Sequence, residues 1–143
     1  MVLSGQRVEL KEAIYNASKG KEQAKENAAN PLVFNGQKLI PSVTRVFSAG
    51  RDLYVYLQAY EQGAPAIQPL VAFVTFYQGK EKVFETQPTE VTSGMNNSIK
   101  TVPIRFDIAL DKLPPGDYDC QVTVLDPTAG RSTFWQAPIT VAP

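Results

Sequence analysis

Residues 113–126 read LPPGDYDCQVTVLD, and this stretch is the most informative part of the sequence about the fold. A Pro-Pro-Gly turn leads into a run in which apolar and polar residues alternate. The apolar positions of that run are Tyr118, Cys120, Val122 and Val124. Because successive side chains of a β-strand point to opposite faces of its sheet, the alternation predicts a strand with one buried face and one wet face.

The tyrosine at the start of this strand indicates a particular architecture. A tyrosine that follows such a turn is typical of the tyrosine corner of immunoglobulin-like β-sandwiches, where its hydroxyl bonds to backbone a few residues upstream. We therefore assign Tyr118 a structural role and place its acceptor near Leu113. Cys120 is the only cysteine, so no internal disulfide can form and packing alone must hold the core.

From residue 31 onward, turn residues separate about seven to nine short apolar runs, which is typical of an all-β protein. Asn35-Gly36 is a strong hairpin signal. Residues 102–110 alternate cleanly, and we predict that they pair antiparallel with 118–125, with Ile104, Phe106 and Ile108 buried. Residues 31–143 are thus predicted to form an immunoglobulin/fibronectin-III-like antiparallel β-sandwich.

Residues 1–30 differ from the rest of the chain in composition and in the spacing of their apolar residues. We predict that they form a short, partly helical N-terminal extension or linker. Residues 2–10 have the composition of a short strand. Residues 10–17 place apolar side chains at helical spacing, which predicts a short amphipathic helix. Residues 18–30 contain no large apolar side chain and indicate either a loop or a frayed helix.

The composition argues against several functional classes. Fourteen basic residues balance fourteen acidic ones, so no overall positive charge favours nucleic acid as a partner. Histidine is absent, which removes the commonest general base and the commonest metal ligand. There is no phosphate-binding glycine motif and no apolar run long enough to span a membrane. We therefore expect no enzyme activity, no cofactor and no bound metal.

Two sets of reactive side chains have a structural and a functional interpretation. The inward position of Cys120 favours a small buried hydrophobic residue over a reactive thiol. Asp117, Asp119 and Asp126 are expected near one end of the sandwich, where clustered carboxylates can bind calcium. Their spacing matches no defined calcium site, so we prefer solvated turn residues.

A stripe of tyrosines is the candidate binding surface. One face of their strand carries Tyr54, Tyr56 and Tyr60. The opposite face carries Leu53, Val55 and Leu57, which are expected to lie in the core because leucine and valine are more often fully buried than tyrosine. The tyrosines are then either covered by another part of the chain or exposed as a platform for a glycan or a partner protein. We predict that the amphipathic 10–17 stretch packs on this sheet and covers part of the stripe.

Several strand and turn stretches carry a resemblance to a family. They are NPLVFNGQKLIPSVTRVF (30–47), DLYVYLQAYE (52–61), PLVAFVTFYQGKEKVFET (69–86) and LDKLPPGDYDCQVTVLD (110–126), with VLSGQRVEL (2–10) fitting the join before them. The chain resembles the C-terminal region of acidobacterial von Willebrand factor A-related (VWFA-related) proteins. Because the sequence lacks the DxSxS metal pattern of the A-type domain, it is expected to begin where that domain ends, and no metal ligand transfers.

The resemblance implies an extracytoplasmic location (secreted, periplasmic or cell envelope) and an A-type domain as neighbour and partner. Our leading interpretation is a non-catalytic accessory or interaction module of a larger exported bacterial protein. The alternative is a carbohydrate-binding module that uses Tyr54, Tyr56 and Tyr60. Exposed tyrosine rings would favour the carbohydrate-binding module, and covered rings would favour the interaction module.

Overall fold

A computed structural model describes residues 1–9, 31–34, 36–60, 69–91 and 101–143. Over these residues the chain is nearly all β, with a 3₁₀ turn at Leu110–Lys112. The described strands are β1 (Val2–Ser4), β2 (Gln6–Glu9), β3 (Val33–Phe34), β4 (Gln37–Ile40), β5 (Val46–Ser48), β6 (Asp52–Tyr60), β7 (Leu70–Gln78), β8 (Glu81–Glu85), β9 (Thr89–Val91), β10 (Thr101–Ala109), β11 (Gly116–Asp126) and β12 (Arg131–Ala142). The predicted all-β class is confirmed.

The strands form three sheets. Sheet I has the order β1-β6-β10, and sheet II has the order β5-β12-β11-β7-β8 with β9 also paired to β7. The small sheet III has the order β2-β4-β3. The pairing is antiparallel except between β5 and β12. One hydrophobic core is built from both larger sheets, for example from Val55 and Ile104 of sheet I and Val74 and Val122 of sheet II.

The stretch that begins with the Pro-Pro-Gly turn forms β11, which lies between β12 and β7. Its burial alternates along the strand, as predicted. The apolar positions Tyr118, Cys120, Val122 and Val124 are all buried. A strand with paired neighbours on both sides has no free edge, so its apolar face is held firmly over the core.

The predicted pairing of residues 102–110 with residues 118–125 is wrong. β10 pairs with β6 over its whole length, and β11 belongs to the other large sheet. Ile104 and Ile108 are buried as expected, whereas Phe106 is only partly buried and packs against the core. Alternation determines which face of a strand is apolar, but it carries no information about which strand lies beside it.

The first nine residues are built into the sheets. β1 pairs with β6 in sheet I, and β2 pairs with β4 in sheet III. A hairpin joins β3 to β4, and Gly36 before β4 has the left-handed backbone (φ 72°) that such turns require. Asn35, the predicted 10–17 helix and the 18–30 segment lie outside the described residues, so the division at residue 30 stays a prediction.

Candidate functional site

The tyrosine stripe lies on the outer face of sheet I. Leu53, Val55 and Leu57 of β6 are buried in the core, so the tyrosines between them face away from it. Tyr54 is half-buried, and Tyr56 is only 4% exposed. Tyr60 is the last residue of β6, and its side chain lies outside the described part of the structure. Tyr56 therefore offers no open aromatic platform.

Arg7 covers Tyr54. Its guanidinium carbon lies 4.5 Å from the centre of the Tyr54 ring, and its Nη1 lies 3.1 Å from Oδ2 of Asp107. Asp107 is directly opposite Tyr54 in the β6–β10 ladder. The contact thus ties sheet III to sheet I. Since both side chains of the ion pair are substantially exposed, the pair itself stabilises the fold by less than about 1 kcal/mol.

Arg105 makes a second arginine–aromatic contact on the same face. It lies opposite Tyr56 in the ladder, and its guanidinium carbon is 5.1 Å from the centre of the Tyr56 ring. The Phe34 ring of sheet III approaches the same guanidinium to 4.3 Å. Within the described part of the chain, the ion pairs do not include Arg105. Among the described residues, its guanidinium therefore contacts aromatic rings and forms no ion pair with a carboxylate.

These contacts border a cleft of about 380 Å³ between sheets I and III, which we call the arginine cleft. It is lined by Arg7, Leu32, Phe34, Gln37, Leu39, Tyr54, Val55, Arg105, Phe106 and Asp107. Its described lining residues include two guanidiniums and one carboxylate, so together they carry an excess of one positive charge. The groups available there can donate hydrogen bonds to an acceptor and stack on a planar or apolar group.

Residues that the sequence did not single out provide the described cover of the stripe. They are Arg7, Phe34 and Arg105, whereas the predicted 10–17 cover lies outside the described residues. Arg105 had one signal in the sequence, its place among the outward positions of the alternating 102–110 run. That signal was insufficient, because its meaning depends on β10 lying beside the tyrosines of β6.

A second aromatic surface lies on the outer face of sheet II. Phe73 of β7 and Phe134 of β12 flank Thr123 of β11 in one row across three strands. Phe134 is 61% exposed, and Phe73 is partly exposed. This surface and the tyrosine stripe belong to different sheets, because β7 lies in sheet II and β6 in sheet I.

Tyr118 is buried beside the turn that precedes its strand. Its hydroxyl donates a hydrogen bond of 2.6 Å to the carbonyl oxygen of Pro114, four residues upstream. The bond links the Pro-Pro-Gly turn to the start of β11. This contact has the geometry of a structural anchor, and the side chain is 4% exposed.

Cys120 and the aspartates of β11 are separate features. Burial raises the pKa of the Cys120 thiol from 9.0 to about 12, which disfavours the reactive thiolate.

Asp117 accepts a hydrogen bond from Thr140, and Asp126 lies at the other end of the strand. At the usual rise per residue the two are roughly 30 Å apart, so the expected cluster of three carboxylates is wrong. The described residues contain no group of metal-ligating side chains.

Among the described residues, no helix has the length and hydropathy needed to cross a membrane. Comparisons of the chain with protein-family models, curated proteins and solved structures find no match.

Proposed function

We propose that this chain is a non-catalytic interaction module with an immunoglobulin- or fibronectin-III-like β-sandwich fold. Two sheets with a common core support the sandwich. The hydrogen bond from Tyr118 to Pro114 supports the immunoglobulin-like assignment, because it matches a tyrosine corner. The module belongs to a larger exported bacterial protein of the kind described as VWFA-related, in an extracytoplasmic location.

The row formed by Phe73, Thr123 and Phe134 is the observation that carries the interaction function. Phe134 is 61% exposed within β12, where it pairs with Thr123, rather than at a chain end. Phenylalanine is enriched at protein interfaces, and aromatic anchors there contribute most of the binding energy. A large exposed ring beside a second ring is therefore a starting point for docking a partner protein.

The partner we propose is the A-type domain that the family resemblance places before this chain. The test uses the A-type domain and this chain as separately purified proteins, with binding measured by calorimetry. Phe134→Ser is expected to weaken binding about tenfold or more, as the loss of a central aromatic anchor does. Val43→Ser is the matched control, because Val43 is an exposed apolar residue in the loop between β4 and β5.

Circular dichroism before the titration checks that both variants are folded. The proposal predicts that Val43→Ser binds like the wild type. Absence of binding by the wild-type pair, or equal binding by Phe134→Ser, would count against an interaction through this face.

A carbohydrate-binding module that uses Tyr54, Tyr56 and Tyr60 is the second candidate. The arginine cleft favours it in one respect, since Gln37 and Asp107 add polar groups beside Tyr54. Sugar stacking needs an open ring face, however, and Arg7 lies over Tyr54 while Tyr56 is buried. A glycan array comparing wild type with Tyr54→Ala is the test. Binding of a defined glycan that is lost in a stably folded Tyr54→Ala protein would place this function first.

A further inference from the structure

We propose that the arginine cleft binds an acidic segment of a partner protein, with Arg105 holding the carboxylate of an aspartate or glutamate. This site is separate from the Phe73–Phe134 row, which lies on the other large sheet. The two proposals can therefore be supported or refuted independently of each other.

The first argument is the charge of Arg105, which no carboxylate of the described residues pairs. Arg7, across the same cleft, is paired with Asp107 at 3.1 Å. Arg105 lies two residues from Asp107 on the same outward face, yet the ion pairs among the described residues leave it without a carboxylate. It is also half-buried, so part of its hydration has been removed. A partly desolvated cation that lacks a counter-ion among the described residues favours an anionic ligand.

The second argument is the way the guanidinium is held. Contact with the Phe34 and Tyr56 rings, at 4.3 and 5.1 Å from their centres, fixes the position of the group. Stacking on rings uses the faces of a guanidinium and not its N–H groups, which lie in its plane. The described hydrogen bonds leave those N–H groups without an acceptor. They are the donors that bind a carboxylate through two parallel hydrogen bonds.

The third argument concerns the walls of the cleft. Phe34 and Leu39 of sheet III, together with Leu32 just before β3, line it beside Arg105. A carboxylate ligand that fits this site therefore carries an apolar group next to its charge. An acidic peptide segment with a leucine, isoleucine or phenylalanine beside the acid meets this requirement. An acidic sugar does not, since it would place hydroxyl groups against apolar walls.

The test is a selection of random peptides displayed on phage against the purified full chain. The best peptide is then made synthetically with a fluorescent label, and its affinity is measured by anisotropy. We expect the selected peptides to contain aspartate or glutamate beside a large apolar residue. Replacing that acid by its amide should weaken binding about tenfold or more, since a charge-assisted bidentate contact is lost.

Three variants of the chain separate charge from fold. Arg105→Gln should weaken peptide binding about tenfold or more, and Arg105→Lys by an intermediate factor, because lysine keeps the charge but loses the fork of donors. Arg131→Gln is the matched control, since Arg131 is an exposed arginine at the start of β12. It should bind as the wild type does. Thermal unfolding checks each variant, and Arg105→Lys decides the test if Arg105→Gln does not fold.

Several results would overturn the proposal. They are a selection that yields no peptide, selected peptides without an acid, and equal binding by Arg105→Gln or Arg105→Lys. Uronic-acid oligosaccharides are assayed in parallel as competitors. If these bind in an Arg105-dependent manner and no peptide does, the ligand is an acidic sugar and the peptide proposal is wrong.

Discussion

Leu3 lies directly opposite Val55 in the ladder that joins β1 to β6, and both side chains are buried in the core at 5% and 1% exposure. The next residue, Ser4, is fully buried, and its hydroxyl donates a hydrogen bond to the carbonyl oxygen of Ile40 in sheet III. The first four residues thus link two sheets and contribute to the core.

Leu3→Ala is expected to lower the free energy of unfolding by about 3 kcal/mol, because it removes a buried leucine and leaves a cavity. Val8→Ala is the matched control, since Val8 lies in the following strand and is 38% exposed. Urea denaturation of both variants measures the difference. Equal midpoints would mean that β1 does not support the core.

Tyr118→Phe is expected to lower the free energy of unfolding by about 1 kcal/mol, the typical loss when one hydrogen bond is not made. The substitution keeps the ring and removes only the donor to Pro114. Tyr77→Phe removes a hydroxyl from a half-buried tyrosine for which the described hydrogen bonds show no acceptor, so it should have little effect. A Tyr118→Phe protein with the wild-type denaturation midpoint would contradict the anchoring role.

Tyr56→Ala and Tyr54→Ala should differ in stability although the two tyrosines share a strand face. Tyr56 is 4% exposed, so its loss is expected to cost about 3 kcal/mol or more, as for other buried aromatic residues. Tyr54 is half-buried, and losing its contact with Arg7 should cost about 1 kcal/mol. Thermal and denaturant unfolding provide the comparison. The reverse order would show that Tyr56 is not covered in solution.

The Cys120 thiol is expected to make the protein less stable at alkaline pH. Its pKa is about 12 in the folded protein and near 9.0 when unburied, so between these values only the unfolded chain loses the proton. The native state therefore loses stability as the pH rises through this window, by up to about 1.4 kcal/mol per pH unit. Cys120→Ala lacks this contribution, and its stability should fall less steeply over the same range.

Thiol labelling gives a second measurement on Cys120. A disulfide reagent should react with the unfolded chain and leave the native protein unlabelled, because the thiol is fully buried and protonated. Rapid stoichiometric labelling of the native protein at neutral pH would show that the thiol is accessible.

Local features of this protein could be predicted from its sequence. Strict alternation around Cys120 and Val122 established an extended strand and its buried face, since side chains of a strand alternate by geometry. Glycine at position 36 identified a hairpin turn because that turn needs left-handed backbone. The face that carries Tyr54 and Tyr56 could be assigned in the same way, because leucine and valine occupy the alternate positions.

The identity of neighbouring strands, in contrast, is known only from the folded protein. β10 pairs with β6 and not with β11, and this register places Arg105 beside Tyr56. Phe34, more than 60 residues away in the chain, then completes the contact. Pairing between distant strands depends on how whole apolar faces pack into one core. A periodic pattern within one strand therefore does not identify the strand that lies beside it. The arginine cleft is the product of that packing, so no single stretch of sequence could reveal it.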